Sequence, residues 1–395
     1  MYSKNLVFAA ACFGMLLFGI VFLSLGSMNN MLAERFGLDD RAIGTLTALL
    51  PAGILLGSLV FGPVVDRFGY QWMLVGASLV VGGALDGMVL TESQTLVQLC
   101  VFAIGFGGGI LNGATNALAA DVSEGERGAK LSLLGVFFGI GALTMPSALA
   151  ALSDYFSQTS IVAGVGALSI LPAAYCLSIA FPRPKLRADR LAMRQAFALL
   201  GDAFLLLACL ALAFQSGMEG MSNDWMTRYF KNAILTSGTD ERGAQLSLVA
   251  LTAAMMITRL ALAGVLKHVG ARVVLLASLC ATAAGALVLA TAPVGGPSWP
   301  LIGPVLIGAG LAAVFPIVLG FVGDRYPQQS GTAFSVIFFI ALAGNMAINK
   351  TFGNVAHEYG VQQYPKVLLV LLIMAAMLLY LVNKLRQPQA LNGNS

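Results

Sequence analysis

About twelve stretches of this chain each run for some twenty residues with hardly a charge, and they decide what solvent the fold faces. A helix needs roughly 20 apolar residues to cross the hydrocarbon of a bilayer. Of 395 residues, 58% are hydrophobic and 10% charged, where a soluble domain carries about 25% charge. Water cannot solvate most of such a surface, so lipid must. The expected fold class is an all-α membrane protein with twelve transmembrane helices. They are placed at about 6–30, 42–64, 70–91, 95–119, 129–152 and 160–181, then 200–222, 244–266, 271–292, 299–322, 329–353 and 364–384. The 45 glycines suit this solvent, because small residues let membrane helices approach closely.

The chain also states one frame twice. Asp121, Gly128 and Ser132 recur as Asp324, Gly331 and Ser335, and 324−121, 331−128 and 335−132 all equal 203. Gly105 pairs with Gly308, and Gly141 with Gly344, at the same offset. A unit of half the chain length has been duplicated. That predicts two pseudo-symmetric six-helix bundles, the parallel-repeat form of a two-halved transporter with substrate held between the halves. The domains expected are a bundle over 1–181, a basic linker over 182–198, and a second bundle with a short cytoplasmic tail over 199–395. The linker is marked by Pro182 and Pro184 and by Arg183, Lys185, Arg187, Arg190 and Arg194.

Loop charge orients the helices, since basic residues collect in the cytoplasm. With both termini inside, the 22 Lys and Arg divide as 14 cytoplasmic, 7 external and Arg259 alone within a helix. The first apolar run, after Lys4, is longer than a signal-peptide core and lacks a small-residue cleavage site, so it reads as an uncleaved helix. The net charge of +4 is scattered through loops, which argues against a nucleic-acid partner. Cys12, Cys100, Cys176, Cys209 and Cys280 lie in apolar runs and read as small core residues. With only His268 and His357, neither a histidine metal site nor a hydrolytic one is expected, and no cofactor is.

Between the second and third runs stands Gly62-Pro-Val-Val-Asp66-Arg67-Phe-Gly69. Asp66 can accept from a helix N-terminus, Arg67 can pair with an acid or with lipid, and Gly69 turns the chain. This resembles the loop signature of the major facilitator superfamily, G-x-x-x-D-R-x-G-R-R, departing at Tyr70 and Gln71. Lys267-His268-Val-Gly270-Ala-Arg272 resembles a degenerate second copy. The resemblance covers nearly the whole chain and implies the major facilitator fold. It also implies a gating role at the inner face for Gly62, Asp66, Arg67 and Gly69, with Asp121, Arg127 and Asp324 of the duplicated loops alongside them. Helix capping uses the same contacts and stands as the alternative. Arg259, about two turns from the cytoplasmic end of its helix, is placed with this gate or with snorkelling.

The fifth run, Leu131-Ser132-Leu-Leu-Gly135-Val-Phe137-Phe138-Gly139-Ile-Gly141-Ala-Leu-Thr-Met-Pro146, is similar to the fucose-permease-like sugar:cation symporter branch, L-N-L-L-H-G-F-F-G-x-G-A-L-x-G-P. Ser132 and Gly135 replace that branch's Asn and His. Phe214-x-x-Gly217-x-Glu219 with Trp225 and Tyr229, and Thr258-Arg259, resemble further branch patterns. The resemblance implies a sugar-like substrate and cavity-lining helices 1, 4, 7 and 10. That branch also implies an acid in the N-terminal half, and helices 1 and 4 carry none before Asp121.

A carboxylate inside a membrane helix costs about 2.5–3.5 kcal/mol on the lenient scale, so Glu219 must face a cavity or a partner. It is the candidate both for accepting substrate hydroxyls and for carrying a coupling proton, with Gly217 and Gly220 able to open the helix beside it. A structural ion pair is the plainer reading. Asn112 and Asn116 lie one helical turn apart, so their amides point the same way and suit vicinal hydroxyls. Their counterparts across the repeat are Phe315 and Leu319, which predicts amides on one half and an aromatic plate on the other, with Pro316 bending the helix beside it. Asn29, Gln215, Asn223, Trp225, Asn345 and Asn349 complete the substrate-binding set, with Asn29 and Asn30 ending the first helix. Asp86, on the third helix, has no assigned role.

The expected function is secondary transport of a small polar solute, a sugar or sugar derivative, across the inner membrane by alternating access, in a monomer, with H+ or Na+ as coupling ion. Efflux of amphiphilic drugs or organic anions is the alternative, since Phe137, Phe315 and Phe338 suit a greasier ligand. A non-transporting receptor or an enzyme finds no support: no nucleophile–His–acid set, metal-ligand spacing or phosphate loop occurs.

Overall fold

The computed structural model describes residues 2–122, 127–182, 201–235, 241–292, 301–326 and 330–386, and at some positions, including 62, 66, 67 and 127, the backbone alone. Fourteen α-helices are described: α1 Lys4–Phe36, α2 Asp40–Phe68, α3 Tyr70–Leu90, α4 Gln94–Val122, α5 Arg127–Leu152, α6 Gln158–Leu168, α7 Ile170–Ser178, α8 Ala203–Tyr229, α9 Glu241–His268, α10 Ala271–Thr291, α11 Ile302–Leu311, α12 Val314–Arg325, α13 Ser330–Tyr359 and α14 Tyr364–Arg386. With α6–α7 and α11–α12 each counted as one span, twelve are long and apolar enough to cross a membrane. Helix is the form that satisfies every backbone group from within when lipid offers no partner.

Two spans are interrupted, and proline explains both. A proline lacks an N–H and its ring displaces the carbonyl four residues back. Pro172 puts that disruption at Leu168, where α6 ends, and Pro316 puts it at Ala312, between α11 and α12. The bend expected beside Phe315 is thus an outright break one turn earlier.

Two helices also run further than their hydropathy predicts. α1 continues to Phe36, so Asn29 and Asn30 lie well inside it and do not end it. α8 continues through Asn223 and Trp225 to Tyr229, followed by one π turn over Phe230–Ile234. Polar residues lowered the hydropathy there without ending the hydrogen-bond ladder.

The chain forms two compact units, Met1–Ala188 with Thr239–Val249, and Asp189–Gly238 with Ala250–Ser395. In the first, α1 packs on α4 and α5, α2 on α4, and α3 on α4, α6 and α7. In the second, α8 packs on α13 and α14, and α10 on α11 and α14. Its apolar core gathers Phe204, Leu212, Val318, Phe321, Ile337 and Leu379.

The repeated glycines explain how these helices get so close. A Cβ at Gly105 would run into the Leu50 carbonyl, and one at Gly308 into the Leu251 carbonyl. At Gly141 it would meet Leu16 backbone, and at Gly344 the Ala213 Cβ at 2.6 Å. Each unit therefore has the same two backbone-to-backbone crossings at the same repeat positions.

Four cysteines are buried as expected, but Cys280 is exposed.

Candidate functional site

Among the described residues, the second unit contains a connected polar set within membrane-spanning helices, organised by α8. Glu219 is buried, and Arg259 of α9 donates from Nη2 to both its carboxylate oxygens, at 2.9 and 3.0 Å. The carboxylate side chain is 10% exposed and the arginine 36%. A buried acid in lipid needs such a partner. Sequence reasoning singled out both residues but assigned Arg259 to the gate and did not pair them. Forty positions apart on different helices, they leave no periodic signal.

One turn further along α8, Asn349 of α13 binds three neighbours. Its Oδ1 accepts from Trp225 Nε1 at 3.1 Å, and its Nδ2 donates to Asn345 Oδ1 at 2.8 Å and to the Asp224 carboxyl. Asn345 Nδ2 in turn donates to the Ser216 carbonyl, 3.1 Å away. Trp225 is wholly enclosed, edge-on to Phe352 with ring centroids 4.8 Å apart. Tyr364 Oη donates to Ser222 Oγ at 2.8 Å, which donates to the Met218 carbonyl at 2.7 Å. The network depends on close helix approach. A Cβ at Gly220 would meet Asn345 Cγ at 2.6 Å, and one at Gly217 would meet Ile348 Cβ at 2.9 Å. These glycines admit α13; they do not open α8, which is continuous past them.

Asp224 was missed from sequence. Its signal was the one that flagged Glu219, an acid inside an apolar run, hidden between Asn223 and Trp225. Asn223 is buried. Gln215 donates to the Leu311 carbonyl at 2.7 Å, supplying a donor where the break before α12 removes a helical one. Phe315 stacks on Phe338, centroids 5.8 Å apart and planes 23° off parallel.

In the first unit Asn116 Nδ2 donates to the Asn112 carbonyl at 2.9 Å and to Asn112 Oδ1 at 3.0 Å. The two amides thus share a face, and each is half-buried. Asn29 is buried within α1. Two residues before it, the Ser27 carbonyl accepts from Gln245 Nε2 at 2.6 Å. Asp86 faces Gly166, and its Oδ1 is buried without a hydrogen-bond partner among the described residues.

Among the loop residues, Gly69 has φ +81° and separates α2 from α3, a backbone that glycine adopts without strain. Its N–H donates to the Val65 carbonyl at 2.8 Å. The side chains of Gly62, Asp66, Arg67 and Arg127 lie outside the described residues. Asp121 accepts from Tyr70 Oη at 2.9 Å, so a residue that departs from the loop signature contributes to holding it. Asp324 is exposed at the end of α12. Asp202, which no motif indicated, caps α8 by accepting from the Phe204 N–H at 2.8 Å. It also accepts from Tyr326 Oη at 2.6 Å and Arg325 Nη2 at 3.3 Å. Burial raises its pKa, but the Tyr326, Phe204 and Arg325 contacts outweigh that and hold the carboxyl below its ordinary range. Burial and the Asp202 bond push Tyr326 up to about 12.

The sequence profile of the Major Facilitator Superfamily matches residues 7–348. The chain is 35% identical over 109 residues to the 4-hydroxybenzoate transporter PcaK of Pseudomonas putida, covering 26% of this chain and 24% of that protein. It is 27% identical over 128 residues to the glucose/mannose transporter GlcP of Bacillus subtilis, covering 32% of each. These matches span a quarter to a third of the relatives' own length. A solved structure of a variant of the nucleoside transporter NupG shares the fold with a TM-score of 0.81, at 15% identity, over 96% of this chain and 99% of that one. With twelve membrane-spanning helices and a profile match across most of its length, the chain belongs to the major facilitator superfamily.

Proposed function

We propose that this transporter carries a small polar solute, a sugar or sugar derivative, across the inner membrane by alternating access. It is not an enzyme, as its family membership entails. In this reading it works as a monomer with both termini cytoplasmic, and H+ or Na+ is the coupling ion. The observation that carries the reading is the Glu219–Arg259 pair, part-buried within membrane-spanning helices and held by Nη2 alone. A purely structural pair gains most from two parallel bonds, whereas this geometry leaves the guanidinium with donors to offer. In the first unit, the Asn112–Asn116 pair keeps one amide donor and one acceptor outside its internal bonds, which matches adjacent hydroxyls. Asn345, Asn349 and Trp225 are occupied with one another and brace the site in this reading. The names of GlcP and PcaK support a sugar or an aromatic acid as cargo. The Phe315–Phe338 stack favours a second reading, efflux of amphiphilic drugs or organic anions.

The test is counterflow in proteoliposomes of purified protein, with labelled sugars, sugar derivatives and hydrophobic dyes. Exchange of a polar solute and not of dyes is expected. Exchange of dyes alone overturns the proposal in favour of efflux. A parallel pH-gradient experiment on Glu219→Gln addresses coupling: full proton-driven uptake by that variant removes Glu219 from the proton path.

A further inference from the structure

The guanidinium of Arg259 has five N–H donors, and Glu219 engages only those on Nη2. Nε and Nη1 have no partner among the described residues, although α9 is one of the twelve membrane-spanning helices. The side chain is 36% exposed, against 10% for its partner, so the open side of the pair is the cationic one. Unsatisfied charged donors at membrane depth are costly, and a neutral hydroxyl relieves that cost less than an anion does.

We infer that the cargo carries a carboxylate, that Arg259 anchors it, and that Glu219 competes for the same guanidinium. The cargo class is then a small hydroxylated organic acid, such as a sugar acid. Its carboxylate takes Nη1 and shares Nη2, the paired-donor edge that suits a carboxylate. This narrows the transport reading above and rests on it. The competition has a consequence that loss of folding cannot mimic. Removing the Glu219 charge frees Nη2, so Glu219→Gln should bind the acid more tightly than the parent.

The experiment measures half-saturating concentration in counterflow for two probes, labelled gluconate and labelled glucose, with parent protein, Glu219→Gln and Arg259→Gln. Counterflow needs no driving gradient, so lost coupling does not obscure binding. Gluconate is expected to exchange and glucose to do so poorly. Glu219→Gln should lower the gluconate value by about tenfold, the worth of one charge-assisted hydrogen bond. Arg259→Gln should abolish gluconate exchange, and its thermal unfolding reports whether it folds. Should Arg259→Gln fail to fold, the gain in Glu219→Gln still decides the matter. Exchange of glucose without competition from gluconate overturns this inference and leaves the wider proposal standing. An unchanged or raised gluconate value in Glu219→Gln also overturns it. Exchange of neither probe, with dyes moving, overturns both.

Discussion

Replacing Asn349 with leucine keeps a similar volume and removes one amide from the centre of a buried network. Three bonds vanish together: from Trp225 Nε1, to Asn345 Oδ1 and to the Asp224 carboxyl. Side-chain hydrogen bonds between membrane helices average about 0.6 kcal/mol each by double-mutant cycles, and two of the three cross from α13 to α8, so they give a floor of roughly 1 kcal/mol. The ceiling is higher. Each buried group left unsatisfied costs about 1–3 kcal/mol, and one of the three here is a carboxylate. For a unit of this size, 1 kcal/mol corresponds to about 2–4 °C of melting temperature, so Asn349→Leu should melt at least that much lower. The assay is thermal unfolding in detergent followed by helical circular dichroism, with every variant heated at one scan rate. The double variant with Trp225→Phe no longer orphans the indole N–H. Its loss should fall short of the sum of the singles by about 0.5 kcal/mol or more. A melting temperature for Asn349→Leu within about a degree of the parent would refute the network as a stabilising element.

The glycine crossings and the Asp202 cap give two more expectations. Gly141→Val and Gly344→Val should each destabilise by about 1–3 kcal/mol through overpacking, whereas Gly76→Ala and Gly83→Ala, where a Cβ meets nothing within 4 Å, should be neutral or slightly stabilising. Thermal unfolding of all four checks this, and equal losses in both pairs would refute the packing argument. The depressed pKa of Asp202 means its contribution to stability is full above the ordinary carboxylate pKa of about 4 and is lost as pH falls through the lower folded value. Asp202→Asn, which keeps a capping side chain, should therefore flatten the fall in melting temperature below about pH 4. An unchanged slope would show that the Tyr326 and Arg325 contacts carry no linkage.

Much of this architecture could be read before any coordinates. Tyr70–Leu90 and Ala271–Thr291 start and stop where the apolar runs do, because hydropathy alone decides them. α1 and α8 overran their predicted ends because polar residues such as Asn29, Asn223 and Asp224 are tolerated inside a helix whose neighbours enclose them. The breaks before Pro172 and Pro316 follow from proline chemistry, yet Pro146 sits inside an unbroken α5, so the outcome depends on surroundings that one sequence does not state. Glu219 and Arg259 were each conspicuous as charges in apolar runs. Their pairing was not, because it is a fact about two helices meeting. The same holds for Asn349: a turn's spacing from Asn345 was visible, while the indole and the carboxyl that complete its bonds came from α8.

The four crossing glycines explain why an ancient doubling is still legible at all. Most positions facing lipid accept apolar residues of differing size, because lipid tails fit any of them. Where main chain rests on main chain, as at Gly105 on Leu50 and Gly308 on Leu251, even one added methyl has nowhere to go. At those sites neither copy has room for a larger side chain, so volume holds part of the duplication in place.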